Sequence, residues 1–265
     1  MALQIGTGLR QFLQEVGGYK QALEGGIMEI RMGSPPTFPD DAATGSLICK
    51  VTKASGTHTP EVLATGLIAL TGGGSGNVSS ITIDGYQVLG ATVNFNTDLT
   101  TTAADIVKQI NRYVGIPNWV TASSSGATIT LTVVPQTGIT LNGKTIAVTS
   151  ATITTQINGG SSITMGGAGA TAGVASVNGL EFDYSTLGKI KLNAAASGVN
   201  LTSAVAGYFR ILGSVNDSGA LSTSFIRIQG TIGTSGADYN VINNSFESGA
   251  THTVATLELS VKALA

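Results

Sequence analysis

Apolar and polar residues alternate with a period of two through most of the chain. Such alternation is typical of antiparallel strands that bury one face. In "FIRIQGTIG", for example, Phe225, Ile226 and Ile228 flank Arg227 and Gln229, which predicts a half-exposed strand. The predicted strands are 26–32, 46–53, 79–83, 86–95, 119–122, 127–134, 144–149, 151–157, 189–193, 204–212, 224–232 and 252–262.

A helix is predicted near the N-terminus. Leu9, Phe12, Leu13 and Val16 follow the i, i+3, i+4, i+7 spacing of one helical face, and Thr7 stands where a cap belongs. A short continuation, "YKQALEGG", ends at paired glycines. We expect this helix and the exposed strand edges to engage neighbouring subunits, with Leu9, Phe12 and Leu13 as candidate contacts.

A second helix is predicted in "TTAADIVKQINRYVG". Its apolar stripe consists of Ala103, Ile106, Val107, Ile110 and Val114. The threonine before Ala103 and the aspartate before Ile106 have capping-box spacing, so the helix is predicted to begin there.

Two glycine-rich segments, 70–80 and 158–173, have the composition of flexible linkers. They bracket a stretch with the pattern strand, strand, helix, strand, strand. We therefore predict an inserted α+β domain of ββαββ type at 75–160, with one helix. The host, built from 1–70 and 170–265, is predicted to be an antiparallel β-sandwich or jelly-roll-like domain with a short N-terminal helix. The alternative is one large β-domain with long hairpin loops.

The composition favours self-association. Charged residues make up 11% of the 265 residues, against roughly 25% in ordinary soluble domains. A net charge of -2 does little to oppose contact between copies, so a homo-oligomer is expected. The chain has no basic excess, which argues against direct binding of nucleic acid.

Residues that could carry chemistry are few and scattered. Cys49 is predicted to be a buried strand residue, and His58 and His252 are expected to be surface residues without ligand-spaced partners. Asp40 and Asp41 form an adjacent acidic pair, but their setting is a turn, where aspartate bonds to the backbone. We expect no enzyme, no metal site and no cofactor.

The beginning of the chain, "MALQIGTGLRQFLQEVGG", lacks the apolar run of a signal peptide, and no stretch of 18 apolar residues occurs. We therefore expect synthesis in the cytoplasm without membrane insertion. A role outside the cell would require lysis or export within a particle.

Several separated motifs occur in a fixed order. They are "IMEIRMGSPPTFPDDAATGSLICKVT" near the start, then "AVAGYFRILGS", "IRIQGTIGTSGADYNV" and "GATHTVATLELSV". In these the chain resembles a family of structural proteins encoded in tailed bacteriophages and prophages. The resemblance covers the host halves and implies localisation in the virion, with other virion proteins as partners. The predicted insert is similar to small β-rich modules of phage tails.

The loop "PPTFPDDAATG" joins two predicted strands. Pro35, Pro36 and Pro39 restrict its backbone, so ordering it against a partner would lose little entropy. We predict these prolines to lie in a subunit contact or a register-setting turn. The alternative is an ordinary hairpin connection.

Tyr113 and Trp119 form the densest aromatic patch. They are candidates for a sugar-binding platform, or else they pack in the insert. Two classes of function remain open: a structural subunit of the neck, collar, tail or fibre base, and a tail protein that binds a host-surface polysaccharide or receptor. A head decoration protein is a further alternative.

Overall fold

The computed structural model divides the chain into two units. Unit 1 comprises Met1–Glu61 and Ser176–Ala265, and unit 2 is the continuous segment Val62–Ala175. The residues that the structure describes are 3–112, 120–135, 139–186, 189–193, 195–254 and 257–260.

The elements are mostly short strands. Among the described residues the helices are α1 (Thr7–Glu15), α2 (Tyr19–Leu23) and α3 (Leu99–Arg112), and a 3-10 turn spans Asn158–Gly160. The strands are β1 (Gln4–Ile5), β2 (Ile27–Met32), β3 (Leu47–Lys53), β4 (Thr65–Gly72), β5 (Asn77–Ile83), β6 (Tyr86–Gln87), β7 (Val93–Asn94), β8 (Val120–Ser125), β9 (Thr128–Val133), β10 (Ile146–Ala151), β11 (Thr154–Ile157), β12 (Phe182–Thr186), β13 (Lys189–Leu192), β14 (Ala196–Val199), β15 (Ala204–Leu212), β16 (Arg227–Gly233), β17 (Tyr239–Asn240), β18 (Ser245–Phe246), β19 (Thr251–Val254) and β20 (Glu258–Ser260). The predicted mainly β fold class is confirmed.

Unit 1 contains a nine-stranded sheet within its described residues. The strand order is β1-β16-β15-β2-β3-β14-β19, with β17 beside β16 and β18 beside β15. All of these pairs are antiparallel except β16 with β17. A second, three-stranded sheet has the order β12-β13-β20. The central sheet thus interleaves strands from both ends of the chain.

The core of unit 1 lies between its two sheets and its two helices. Met28 and Ile30 from β2, Phe209 from β15, Phe182 from β12 and Leu9 from α1 belong to one buried apolar cluster. Sheets that face each other across such a cluster form a sandwich-like arrangement. The predicted β-sandwich character of the host therefore holds for unit 1.

Unit 2 has two four-stranded sheets among its described residues. One has the order β10-β5-β6 with β7 beside β5, and the other has the order β11-β4-β9-β8. Strands from both sheets and helix α3 share a second apolar cluster that includes Ile68, Ile81, Ile106, Ile110 and Ile129. This arrangement has eight described strands where the predicted ββαββ pattern has four, since β4 to β7 precede helix α3 and β8 to β11 follow it.

Helix α3 begins earlier than its sequence pattern predicts. Its first residue is Leu99, and the carboxylate of Asp98 accepts a hydrogen bond of 2.7 Å from the backbone N–H of Thr101. This bond lowers the pKa of Asp98, the usual effect of an N–H group on a capping carboxylate. The predicted capping box at Thr102 and Asp105 is wrong, because Thr102 is fully buried inside the first turn.

The glycine-rich segments that were predicted to be linkers are not the places where the chain passes from one unit to the other. Segment 70–80 falls inside unit 2, where it contains the end of β4, a turn and the start of β5. Segment 158–173 also falls entirely within unit 2 and begins with the 3-10 turn. The divisions between the units come instead at Glu61 and Ser176. Glycine here serves tight turns within a unit, which have the same composition as a linker.

Candidate assembly surface

The central strands of unit 1 carry charged residues on a buried face. Arg210 lies between two apolar neighbours on β15, and Arg227 and Gln229 alternate with apolar residues on β16. All three have a relative exposure of 0%. The prediction that "FIRIQGTIG" is half exposed is therefore wrong, because two loops, 34–45 and 217–224, bond to this face.

Arg227 holds both loops. Its guanidinium makes a bidentate ion pair with the carboxylate of Asp217, with Nε and Nη2 each donating at 2.6 Å. Nη2 also donates to the carbonyl of Ala220 at 2.6 Å, and Nη1 donates to the carbonyl of Asp40 at 3.0 Å. Arg227 and Asp217 are 0% and 2% exposed, so the pair is removed from water. A buried pair is stabilising only when its geometry and further bonds offset desolvation, and here they are extensive.

Arg210 and Gln229 extend this contact along the loop 34–45. The Arg210 guanidinium donates from Nη1 and Nη2 to the carbonyl of Asp41, both at 3.2 Å, and from Nη2 to the Gln229 side chain at 3.0 Å. Gln229 in turn donates to the carbonyl of Pro36 and to the side chain of Gln4, each at 2.7 Å. Burial, and then the positive charge of Arg227, lower the pKa of Arg210.

Two further contacts fix the ends of the same loop. The carboxylate of Asp40 accepts hydrogen bonds from the backbone N–H of Thr7 at 2.9 Å and from its hydroxyl at 2.5 Å. It therefore caps helix α1, whose own N-cap residue is Gly6. The predicted cap, Thr7, is instead the first residue of the helix. The hydroxyl of Tyr208 donates to the carbonyl of Thr44 and accepts from its N–H.

The loops 34–45 and 217–224 also bond directly to each other. The backbone N–H of Ser222 donates to the carbonyl of Asp40 at 2.9 Å, and that of Ala43 donates to the carbonyl of Gly219 at 2.8 Å. We call this joined pair of loops the double loop. It holds two large apolar side chains in solvent, Phe38 at 61% and Leu221 at 72% exposure.

The predicted contact residues lie mostly below this surface. Pro36 and Pro39 are buried, and Pro35 is half-buried. The large apolar side chain that this loop exposes is the intervening Phe38.

The helix residues predicted to contact neighbours belong to the core of unit 1. Leu9 and Phe12 are 0% and 6% exposed, and half-buried Leu13 packs against the same cluster. In this conformation the first two cannot reach another subunit. Tyr113 and Trp119, the predicted sugar platform, lie outside the described residues.

Cys49 and the two histidines are partly or fully enclosed. Burial raises the pKa of the Cys49 thiol to about 11, which fits the predicted buried strand residue. The histidines are half-buried rather than on the surface. His58 donates from Nε2 to the carbonyl of Gly25 at 3.0 Å, and the ring of His252 lies tilted against that of Phe246, with ring centroids 4.7 Å apart. Burial lowers the pKa of both histidines.

Sequence reasoning missed the residues that carry this site, namely Arg210, Arg227, Gln229 and Asp217. Their alternation with apolar neighbours resembles that of a solvated strand face. One signal does distinguish them: the chain has only 13 basic residues, yet two stand in the middle of its most apolar strands. Long charged side chains in such strands require buried partners.

No group of three or more His, Cys, Asp or Glu that could hold a metal ion occurs in the described ranges. None of the described helices combines the length and apolar character needed to cross a membrane. Comparison with protein-family models, curated proteins and solved structures found no match. The resemblance to structural proteins of tailed phages therefore stays a prediction.

Proposed function

We propose that the chain is a structural subunit of a tailed-bacteriophage virion, exposed at the neck, collar, tail or fibre base. In this role it associates with copies of itself and with other virion proteins through unit 1. The double loop is the proposed contact. Its two exposed apolar side chains, Phe38 and Leu221, carry the proposal.

A preordered loop suits assembly for an energetic reason. Association must offset the entropy lost when loops become ordered at an interface. The double loop is already held by a buried arginine and by bonds between its own halves. When apolar side chains on such a preordered loop become buried at an interface, the loop does not lose that entropy. Aromatic residues such as Phe38 are also enriched at interfaces.

The resembling motifs support the same element. The proline loop, "YFR" and "RIQG" are distant in sequence, but they supply the loop 34–45, Arg210, Arg227 and Gln229 to one network. A motif set that is needed to build one surface supports a role for that surface. The low charge of the chain also suits close contact between copies.

Self-association tests the proposed contact. Sedimentation velocity at about 100 µM detects dissociation constants in the micromolar range. We expect the wild type to sediment as an oligomer and the double variant Phe38→Ser, Leu221→Ser to sediment as a monomer. Ile242→Ser is the matched control, because Ile242 is an exposed large apolar residue that lies outside the double loop. A monomeric wild type, or equal loss of assembly in the control, would count against the double loop as a contact between copies.

Location in the particle requires a separate measurement. Immunogold electron microscopy of particles from the phage or prophage that carries the gene should show label at the neck or tail. Label over the whole head would indicate a decoration protein. Antigen present in the lysate with no label on particles would contradict an exposed virion subunit.

A further inference from the structure

A polar groove in unit 2 is lined by several amide and charged side chains. It has a volume of about 490 Å³ and lies between the segment 92–96 and one face of helix α3. Asn94, Phe95, Asp105, Gln109 and Arg112 are among its lining residues. This volume lies within the range of about 300–1,000 Å³ that is common for small-ligand sites.

The groove presents hydrogen-bonding groups that no described part of the chain satisfies. The side chains of Asn94, Gln109 and Arg112 have no hydrogen-bond or ion-pair partner among the described residues. The buried amide side chains of Asn158 and Gln229, by comparison, are bonded within the chain. Two amides and a guanidinium together provide up to nine N–H donors and two carbonyl acceptors.

The charges around the groove leave one cation unbalanced. Asp105 accepts hydrogen bonds of 2.8 Å from both Lys108 and Asn96, and the bond from Lys108, followed by that from Asn96, lowers its pKa. This carboxylate is therefore ionised and occupied. Arg112, one turn beyond Lys108, is exposed and has no described counter-ion.

An aromatic side chain completes the lining. Half-buried Phe95 packs against the apolar cluster of unit 2 and also borders the groove. A ring fixed in this way offers an apolar face beside polar groups. Amides that bond hydroxyls, an aromatic face for C–H groups and a guanidinium for a carboxylate together match a sugar acid.

We propose that this groove binds an anionic saccharide, with a uronic-acid carboxylate on Arg112 and sugar hydroxyls on Asn94 and Gln109. The site is independent of the proposed assembly contact, since all of its residues belong to unit 2. Its test uses the isolated full-length chain and needs no particle. Failure of assembly and failure of binding are therefore distinguishable.

The experiment has two arms. A fluorescently labelled chain is applied to an array of defined bacterial oligosaccharides that carry uronic acids and to neutral oligosaccharides of matched length. We expect binding to the uronate-containing group. The best-bound oligosaccharide is then titrated into wild type, Arg112→Gln, Asn94→Ala and Arg10→Gln, with affinity followed by calorimetry. Arg10→Gln is the matched control, because Arg10 is exposed on α1 in unit 1 and its replacement changes the net charge equally.

Arg112→Gln should weaken binding at least tenfold, equivalent to about 1.4 kcal/mol, and Arg10→Gln should leave it unchanged. Asn94→Ala should weaken binding without altering its salt dependence, because it removes a neutral hydrogen bond. The proposal is overturned if no oligosaccharide binds, if neutral and uronate sugars bind equally, or if the Arg112 and Arg10 variants lose affinity equally. Equal loss would indicate nonspecific attraction between charges.

Discussion

Replacement of Arg227 by methionine should detach the two loops that cover the polar face of the sheet in unit 1. The substitution keeps a long unbranched side chain but leaves the carboxylate of Asp217, which is 2% exposed, without its countercharge. Removing one partner of a buried pair destabilises proteins by about 3–5 kcal/mol. Six hydrogen bonds of the guanidinium are lost here, three of them at 2.6 Å, so we expect a value in that range.

Urea unfolding followed by circular dichroism measures the size of this effect, and hydrogen exchange with mass spectrometry locates it. Peptides that cover 34–45 and 217–224 should lose protection in Arg227→Met under native conditions. Peptides that cover helix α3 in unit 2 should keep theirs. Arg10→Met is the control, since an exposed arginine without a described partner should change stability by less than about 0.5 kcal/mol.

The companion variant separates the ion pair from the rest of the network. Asp217→Asn in the Arg227→Met background removes the stranded charge, so the double variant should be more stable than the sum of the single effects by about 1–3 kcal/mol. A loss below about 1 kcal/mol for Arg227→Met, with protection of both loops intact, would refute the role given to this arginine.

Three further predictions concern other positions. Gly8→Ala should destabilise the protein by about 1–3 kcal/mol although alanine favours helices, because its Cβ would lie 2.4 Å from the carbonyl oxygen of Phe225. The control Gly74→Ala, whose Cβ would have nothing within 4 Å, should leave the stability unchanged in the same urea assay. A gain in stability for Gly8→Ala would contradict the close packing of α1. Cys49 should react with a thiol reagent at pH 8 at least about 100-fold more slowly in the folded protein than in urea, because burial holds its pKa at about 11. Equal rates in the folded and the unfolded protein would show that the thiol is accessible. Burial lowers the pKa of His252 below its ordinary 6.5, so the unfolded chain binds the proton more readily, and the free energy of unfolding should fall as the pH drops below about 6.5. His252→Gln should reduce that fall, measured by urea midpoints between about pH 8 and pH 5. An identical pH dependence in the variant would contradict the attribution of this effect to His252.

The element types of much of this fold follow from the sequence. Strand β15 runs from Ala204 to Leu212, as its alternation predicts, and α1 and α3 present the expected apolar faces. Local patterns predict these elements because each depends on residues close in sequence. Strand β4 was not predicted, because its last residues merge into a glycine cluster. Strands β12 and β14 were not predicted either, because their polar and small residues break the alternation.

The candidate assembly surface was much less predictable. A period of two indicates that Arg227 and Ile228 face opposite ways, but it does not show whether the polar side faces water or another segment. The covering loop 34–45 lies nearly 190 residues away in sequence, and its bonds to Arg227 depend on how β2 and β16 are placed around β15. Burial of a polar face is a tertiary property, so it could not be read from β16 alone.

The interleaved strand order of unit 1 also imposes an order on its folding during synthesis. Unit 2 is complete once residue 175 has left the ribosome. In unit 1, by contrast, β2 must wait for β15, β3 must wait for β14, and the loop 34–45 must wait for Arg227. At about 5–20 residues per second, the first 61 residues remain without these partners for roughly 10–30 s. Over that interval the apolar residues of β2 are open to chaperones and to neighbouring nascent chains, so the yield of folded protein depends on how this early segment is protected.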